Sequence, residues 1–349
     1  MSRTSPLSIF HLHRAQAEQQ LTEWRERALA CVTFTNGFPR NELDGVPVVQ
    51  VNTPQVGEAE DLLEVWCAGK RVSSGVYGRV RYSFNSELLF GSVALSESDV
   101  PELSGEAGGN ESPLQRITKL AFQEIFGLLD KLNYPHLLRI WNYFPAINVE
   151  SHGLERYRQF NVGRQQAFAA CDRSLTEDIP AACALGTVGD QLIIYFIAVR
   201  DKPVAIENPR QVSAYHYPSD YGPSEPTFSR ASLGRVGEQE VLFISGTASI
   251  IGHRSVHIGD VVAQTKETLA NIEAVAGEAN RVSSKVRYDL GSMSYKAYLR
   301  RTEDFDAVHN VLLQDIGPDV QVVYLQADIC RQDLLVEIEA IAGIPSKIL

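Results

Sequence analysis

No run in the 349 residues approaches the roughly 20 apolar positions that a membrane-spanning helix requires. The opening MSRTSPLSIFHLHRAQAEQQ has no apolar stretch of the secretory kind. These absences predict a soluble, unsecreted protein of the cytoplasm. Cysteines are few and odd in number, five in all (Cys31, Cys67, Cys171, Cys183, Cys330), scattered and without Cys-x-x-Cys spacing. A disulfide framework and a zinc-finger set are excluded, and reduced thiols are expected. Basic residues are outnumbered, 32 Lys and Arg against 43 Asp and Glu, for a formal net charge of −11. Neither nucleic acid nor an anionic membrane is an expected partner, because both demand a basic footprint. An anionic ligand must instead be gripped by local arginines working against the global field. There is no phosphate-binding glycine loop and no dinucleotide fingerprint. The pairs His11/His13 and His253/His257 have no cysteine or carboxylate set beside them. No metal and no cofactor are expected.

What the chain does have is apolar material, 44% of its residues, enough to bury a sizeable core as two domains or as one domain of duplicated units. The stretch SESDVPELSGEAGGNESP (96–113) reads as a linker. After it, PLQRITKLAFQEIFGLLDKLN predicts a helix with Pro113 in its first turn and Ile117, Leu120, Ala121, Ile125, Leu128, Leu129 and Leu132 on one stripe. HLLRIWNYFPAIN reads as a strand leaving into a turn, GLERYRQFNVGRQQAFAAC as a helix, and QLIIYFIAVR as a buried strand.

The second half repeats the order. EVLFISGTASII is a strand, and GDVVAQTKETLANIEAVAGEA is a helix capped by Asp260 with Val262, Thr265, Leu269, Ile272 and Ala276 facing inward. SYKAYLRR is a strand, DFDAVHNVLLQDIG a helix, and VQVVYLQADI a strand. The expected fold is therefore α+β, with mixed sheets and helices packed on one face, built from two related units. The division expected is residues 1–150 and 151–349.

Near the end, CRQDLLVEIEAIAGIP puts Leu335, Glu337, Glu339 and Ile341 on one side of a strand and Val336, Ile338 and Ala340 on the other. Two carboxylates share a face inside a run that otherwise belongs to a core. Periodicity cannot say which, if either, is more than the wet side of an edge strand.

VLFISGTASIIG, VVAQTKETLANIEAV and LLVEIEAIA resemble the RidA (YjgF) family over about the last 120 residues. The arginine with which that family grips a substrate carboxylate would fall near Tyr324, so enamine or imine deamination is the lesser expectation. A resemblance covering more of the chain lies in WNYFPAINVESHGLERYRQFNVGRQQAF, NPRQVSAYHYPSDYGPSEPTFSRA, FISGTASIIG and ICRQDLLVEIEA: these are similar to the chorismatases, which have a RidA-like fold and cleave the enolpyruvyl ether of chorismate. Some members are hydrolases that release pyruvate and a dihydroxylated cyclohexadiene acid; others release pyruvate and a hydroxybenzoate. In that family a glycine in the Ser-Gly-Thr-Ala block and a cysteine seven residues before the catalytic glutamate accompany the aromatic product, and alanine in place of the glycine accompanies hydrolysis. The matching positions are Gly246, Cys330 and Glu337, and they imply a former of 3-hydroxybenzoate, or a relative that also makes 4-hydroxybenzoate.

Cleavage of an enol ether begins with protonation of its methylene carbon, a reluctant acceptor that demands a strong, well-placed acid. A carboxylic acid serves only if burial keeps it protonated near neutrality. The family position selects Glu337. Cys330 is then a shaping or polarising group or a small core hydrophobe, and Gly246 leaves space beside the acid or permits an unusual backbone. If ADICRQDLLVEIEA folds as a hairpin, Cys330 and Glu337 can approach one pocket. Chorismate carries two carboxylates, which call for arginine forks. Arg156 and Arg164, eight residues apart on one helix face, are candidates, with Arg158 ranked below them because it points elsewhere, and Arg230 is the third. Tyr143 and Tyr215 could hydrogen-bond the substrate or be aromatic core. The competing expectations are a chorismate hydrolase, a RidA-like deaminase and a non-catalytic metabolite-binding protein. RidA proteins close their sites between subunits, so the chain is expected either to form a trimer or to mimic one internally.

Overall fold

The structure is a computed structural model and describes residues 5–34, 45–57, 62–100, 111–218 and 221–348. The segment 96–113 expected as a linker is described only at its ends; residues 101–110 lie outside the described residues.

Three sheets follow one another along the chain. The first is built from β1 (Leu7–His13), α1 (Arg14–Gln19), α2 (Leu21–Trp24), β2 (Ala28–Thr33), β3 (Val48–Gln50) and β4 (Leu62–Ala68). The second has β5 (Ser73–Tyr77), β6 (Val80–Phe84), β7 (Leu88–Ser96), α3 (Pro113–Leu132), β8 (His136–Pro145), α4 (Arg156–Ala170), β11 (Ala181–Thr187) and β12 (Gln191–Val199), with the short β9 (Glu150–Ser151) and β10 (Leu154–Glu155) paired as a separate ribbon before α4. The third has β13 (Val204–Ile206), β14 (Ala231–Val236), β15 (Gln239–Thr247), α5 (Val261–Val282), β18 (Met293–Leu299), α6 (Phe305–Asp315), β19 (Gln321–Gln326) and β20 (Val336–Ala342), with the short β16 (Ile250–Ile251) and β17 (Arg254–Ser255) paired as a separate ribbon before α5. A final strand, β21 (Ser346–Ile348), returns to pair in parallel with β1.

The two long sheets are topological copies. The second runs β5-β6-β7-β12-β8-β11 and the third β13-β14-β15-β20-β18-β19, with the last pair parallel in each. The duplication anticipated from the order of elements is thus present as strand order. The first sheet, β21-β1-β4-β2-β3, matches the last four strands of that plan and has β21 where the plan would place another strand. Strands on both sides of residue 150 share the second sheet, since β8 pairs with β11 and β12.

Each sheet buries its outer face under its own helices and its inner face against the other two sheets. Trp66, Trp141 and Phe243, one from each sheet, meet at the centre with ring centroids 5.7 to 6.3 Å apart. Beside them runs a buried chain of charge: Glu64 and Glu339 both bind Lys296, Glu339 also pairs with Arg139, and His11 lies 3.6 Å from Glu64. His11 is accordingly held within β1.

The local signals act as the sequence suggests. Ser112 caps α3 by accepting from the Gln115 amide, Pro113 opens it, and Asn133 closes it in the left-handed region at φ 56°. In α5, Asp260 caps as expected, and Thr265, Leu269, Ile272 and Ala276 are buried, but Val262, in the first turn and expected to face inward, is 39% exposed. The predicted hairpin before Glu337 does not form. β18 lies between β19 and β20, parallel to one and antiparallel to the other, and the connecting residues 327–335 run along the boundary between the second and third sheets. There Ile329 bridges to Leu185 of β11.

Candidate active site

β20 presents Glu337 and Glu339 to the inner side, as its period-2 pattern requires, while Val336, Ile338 and Ala340 pack under α5 and α6. The two carboxylates have opposite fates. Glu339 is committed: it pairs with Arg139, accepts from Trp141 Nε1 at 3.0 Å and sits 3.2 Å from Lys296 Nζ. Glu337 has neither a hydrogen bond nor an ion pair within the described residues, is 3% exposed, and lines a cavity of about 640 Å³. That volume is of small-metabolite size.

Burial pushes the Glu337 carboxyl up to about 8, with the negative charge of Glu339 adding to the effect and Arg139 opposing it. At neutral pH the group is therefore mostly an acid, not a carboxylate. Gly246 of β15 makes room for it: a Cβ built at that position would fall 1.9 Å from Glu337 Oε1 and 3.1 Å from the Cβ of Cys183. The demand on Gly246 is for space. Cys330 lines the same cavity, so the two side chains do converge, by way of the boundary segment and not a hairpin. Burial and the neighbouring Glu337 charge push its thiol up to about 12, so at neutrality it is an uncharged, unreactive wall.

Facing the acid are arginines. Arg230 is buried, donates from Nη2 to the Val212 carbonyl (2.7 Å) and the Tyr217 hydroxyl (2.8 Å), and is flanked by the rings of Phe228 and Tyr217. Its Nε has no partner. Arg331 lies over Tyr221, 4.3 Å from guanidinium carbon to ring centroid, and donates from Nη1 to the His253 carbonyl. Arg254 also reaches the cavity. Among the described residues none of these three lies within 4.0 Å of a carboxylate, whereas Arg158, on the same wall, pairs with Glu155 at 3.4 Å. Of the three only Arg230 is buried, and a cation desolvated without a close counter-ion is costly unless an anion arrives; Arg331 is half-buried and Arg254 exposed.

The structure redistributes the other expected contacts. Arg156 does not line the cavity. As the first residue of α4 its side chain turns back to the Pro145 carbonyl (2.9 Å) and to Glu97 (2.6 Å), and Arg158, ranked below it from the sequence, takes the cavity side. Arg164 is buried behind the wall, donating to Asn161 Oδ1 at 2.9 Å with its Nε unpartnered. Burial lowers it to about 10, and Tyr157, which does line the cavity, counteracts that fall. Tyr143 belongs to the core, its hydroxyl 2.7 Å from that of Tyr298 and its ring stacked on Tyr195. Tyr215 turns onto His216 in the short turn Ala214–His216, and its neighbours Tyr217 and Tyr221 line the cavity instead. The tyrosine-rich run YHYPSDYG, and the arginine following Cys330, were the signals available for these residues. Among the described residues no group of three or more His, Cys, Asp and Glu could hold a metal ion, and no helix is long and apolar enough to cross a membrane.

Comparison with known proteins shows the family. The family described as Chorismatase FkbO/Hyg5-like, N-terminal, matches residues 64–198. A 3-hydroxybenzoate synthase of Streptomyces hygroscopicus is 35% identical over 321 residues, 88% of this chain and 87% of its own. The chain belongs to the chorismatase family. A chorismatase of Streptomyces rapamycinicus is 38% identical over 308 residues, covering 86% of this chain and 87% of its own. A chorismatase crystal structure superposes with a TM-score of 0.82 at 32% identity, covering 98% of this chain and 99% of the other. The chain is thus an enzyme of the chorismatase family, with the α+β fold expected from its sequence.

Proposed function

We propose that the chain converts chorismate to pyruvate and a hydroxybenzoate, chiefly 3-hydroxybenzoate, with Glu337 as general acid. The arrangement that carries this reading is a buried carboxylic acid, its side chain without a partner among the described residues and held protonated by burial, in a cavity whose arginines Arg230, Arg254 and Arg331 have no carboxylate within 4.0 Å among those residues, although the Glu207 carboxyl acts on Arg230. A dianion with an acid-labile enol ether satisfies both halves of that arrangement. Its carboxylates meet the guanidinium groups, and Arg164 adds positive potential from behind Tyr157.

Glu337 delivers its proton to the terminal methylene carbon, which turns the enol ether into an oxocarbenium ion. The bond between the ether oxygen and the ring carbon then breaks; its electron pair goes to oxygen, and pyruvate leaves as the ketone. The ring is left as a cation. Migration of the neighbouring hydroxyl to the vacated carbon, followed by loss of a ring proton, gives 3-hydroxybenzoate; loss of the proton without migration gives the 4-hydroxy isomer. One proton enters and one leaves, and no water is consumed. Attack by water would instead consume one molecule and yield the dihydroxylated diene. The neutral Cys330 thiol and the aromatic wall of Tyr157, Phe228, Tyr217 and Tyr221 favour the dry outcome. The assignments of Glu337, Cys330, Gly246, Arg230 and Arg164 rest on this chemistry and on their placement.

Every cavity-lining residue falls between 155 and 337, which supports placing catalysis in the C-terminal part, 151–349. The three facing sheets support a single chain doing internally what a trimer does with three subunits. Five free thiols suit a reducing compartment, and we assign the enzyme to the cytoplasm, with no cofactor.

The direct test is to incubate the purified protein with chorismate and separate the products. Pyruvate together with an aromatic acid is expected; pyruvate with only the diene would keep the family and remove the dry mechanism, and no pyruvate would remove the activity. The pH profile tests the acid itself. The protonated form is the active one, so kcat/KM should hold across neutrality and fall tenfold per pH unit above about 8. Activity that climbs through the same range would assign Glu337 a basic role instead.

A further inference from the structure

Arg300 stands one residue beyond β18, does not line the cavity, and yet spends its whole guanidinium on the segment that does. Nε donates to the Leu334 carbonyl at 2.8 Å, and Nη2 donates to the carbonyls of Ile329 (3.0 Å) and Arg331 (2.9 Å). Nη1 reaches Asp328 Oδ1 at 2.7 Å, and both terminal nitrogens reach Asn148 Oδ1 at 3.2 Å. Three main-chain carbonyls and the Asp328 carboxylate of one segment, and the Asn148 side chain from the turn after β8, thus converge on a single planar group. The segment needs such a partner because it joins β19 to β20 across the boundary between two sheets, where no regular ladder can satisfy its carbonyls. From this segment Cys330, Arg331, Gln332 and Asp333 enter the cavity.

We propose that Arg300 is a positioning residue of the reaction: its fork sets the 328–334 segment so that Arg331 meets a substrate carboxylate and Cys330 closes the ring side against water. The proposal rests on the chorismate-cleaving reading above. Only a rigid fork can serve several acceptors at fixed angles; the single ammonium of a lysine cannot. Neighbouring contacts leave the role to Arg300: Gln264 braces the later part of the connection through the Asp333 carbonyl and the Leu335 amide, and Gly186 binds the Asp328 carbonyl. None of these holds the carbonyls of Ile329 and Arg331 together.

The experiment compares Arg300→Lys, Arg300→Ala and Asn148→Ala with the unaltered protein for pyruvate release, KM, product ratio and melting temperature. Arg300→Lys is expected to stay folded, to raise KM through the loosened Arg331 and lower kcat about tenfold, and to move product from hydroxybenzoate toward the diene. Arg300→Ala should do so more strongly, with guanidinium chloride far below denaturing concentrations restoring both rate and product ratio. Asn148→Ala should shift the ratio in the same direction by less. If Arg300→Ala fails to fold, the other two variants decide. An unchanged product ratio in every folded variant, or rates that merely follow melting temperature without rescue, would overturn the proposal. Failure of the unaltered protein to release pyruvate would overturn the chorismate reading instead, so the two failures are distinguishable.

Discussion

Glu337→Gln is expected to lower turnover of chorismate about 10³-fold while leaving substrate affinity within a few-fold. The amide nearly preserves the shape of the acid and its place beside Gly246, so the arginine side of the cavity is undisturbed, but it has no proton strong enough for a carbon acceptor. Affinity is best read by calorimetry with chorismate, and turnover by pyruvate release. A variant that retains a tenth of normal turnover would take Glu337 out of the chemistry. A stability measurement separates loss of chemistry from loss of fold. Glu337 holds its proton in the native state up to about 8, whereas an unfolded chain releases it near the ordinary value of about 4.3. The native protein therefore loses stability as pH rises from the lower value through the upper one, and a glutamine cannot ionise. Glu337→Gln should melt at or above the temperature of the unaltered protein at pH 8 and higher, even as it ceases to turn over.

Gly246→Ala is the second large effect. The added methyl would overlap Glu337 Oε1, at 1.9 Å, so the carboxyl must swing or the strand must give. The carboxyl is the softer element, since it has no bond to hold it in place. The acid then addresses the methylene carbon from a different position and leaves a gap where the oxygen stood. Total pyruvate release should fall about tenfold, with the diene replacing hydroxybenzoate as the main ring product. An alanine variant that keeps the aromatic product at full rate would mean that the glycine serves the fold alone. The pair of variants divides the mechanism: Gln at 337 stops proton delivery, and Ala at 246 redirects the fate of the ring after pyruvate departs.

The order of strands and helices was readable because each obeys its own period and carries its own caps: Ser112 with Pro113 for α3, Asp260 for α5. Glu337 and Glu339 were readable as a pair on one face, and no local pattern could part them. Their difference is made by Arg139 and Trp141, about 200 residues away in another sheet, which claim Glu339 and leave its neighbour alone. The choice between Arg156 and Arg158 failed for a related reason. Helical periodicity relates residues within α4, but which stripe meets the cavity is decided by how the first turn docks on the end of β8. The first sheet escaped notice as a third, shortened copy of the unit because the first two strands of the plan are missing and β21 is borrowed from the far end of the chain. Tyr143 and Tyr215 were reasonable donors by composition, but alternation along β8 sends Tyr143 into the core, and the short turn sends Tyr215 onto His216 while Tyr217 and Tyr221 line the cavity.

Three like sheets closing on a common centre create three seams, and a symmetric assembly would have to furnish all of them identically. Covalent continuity lifts that obligation. Here the seam between the second and third sheets carries the acid, the arginines and the clamped segment, while the first sheet is free to specialise as a buttress, lending Glu64 to hold Lys296 and, through it, Glu339. The charge beside the buried acid is thus moored partly by a sheet that contributes no lining residue to the cavity.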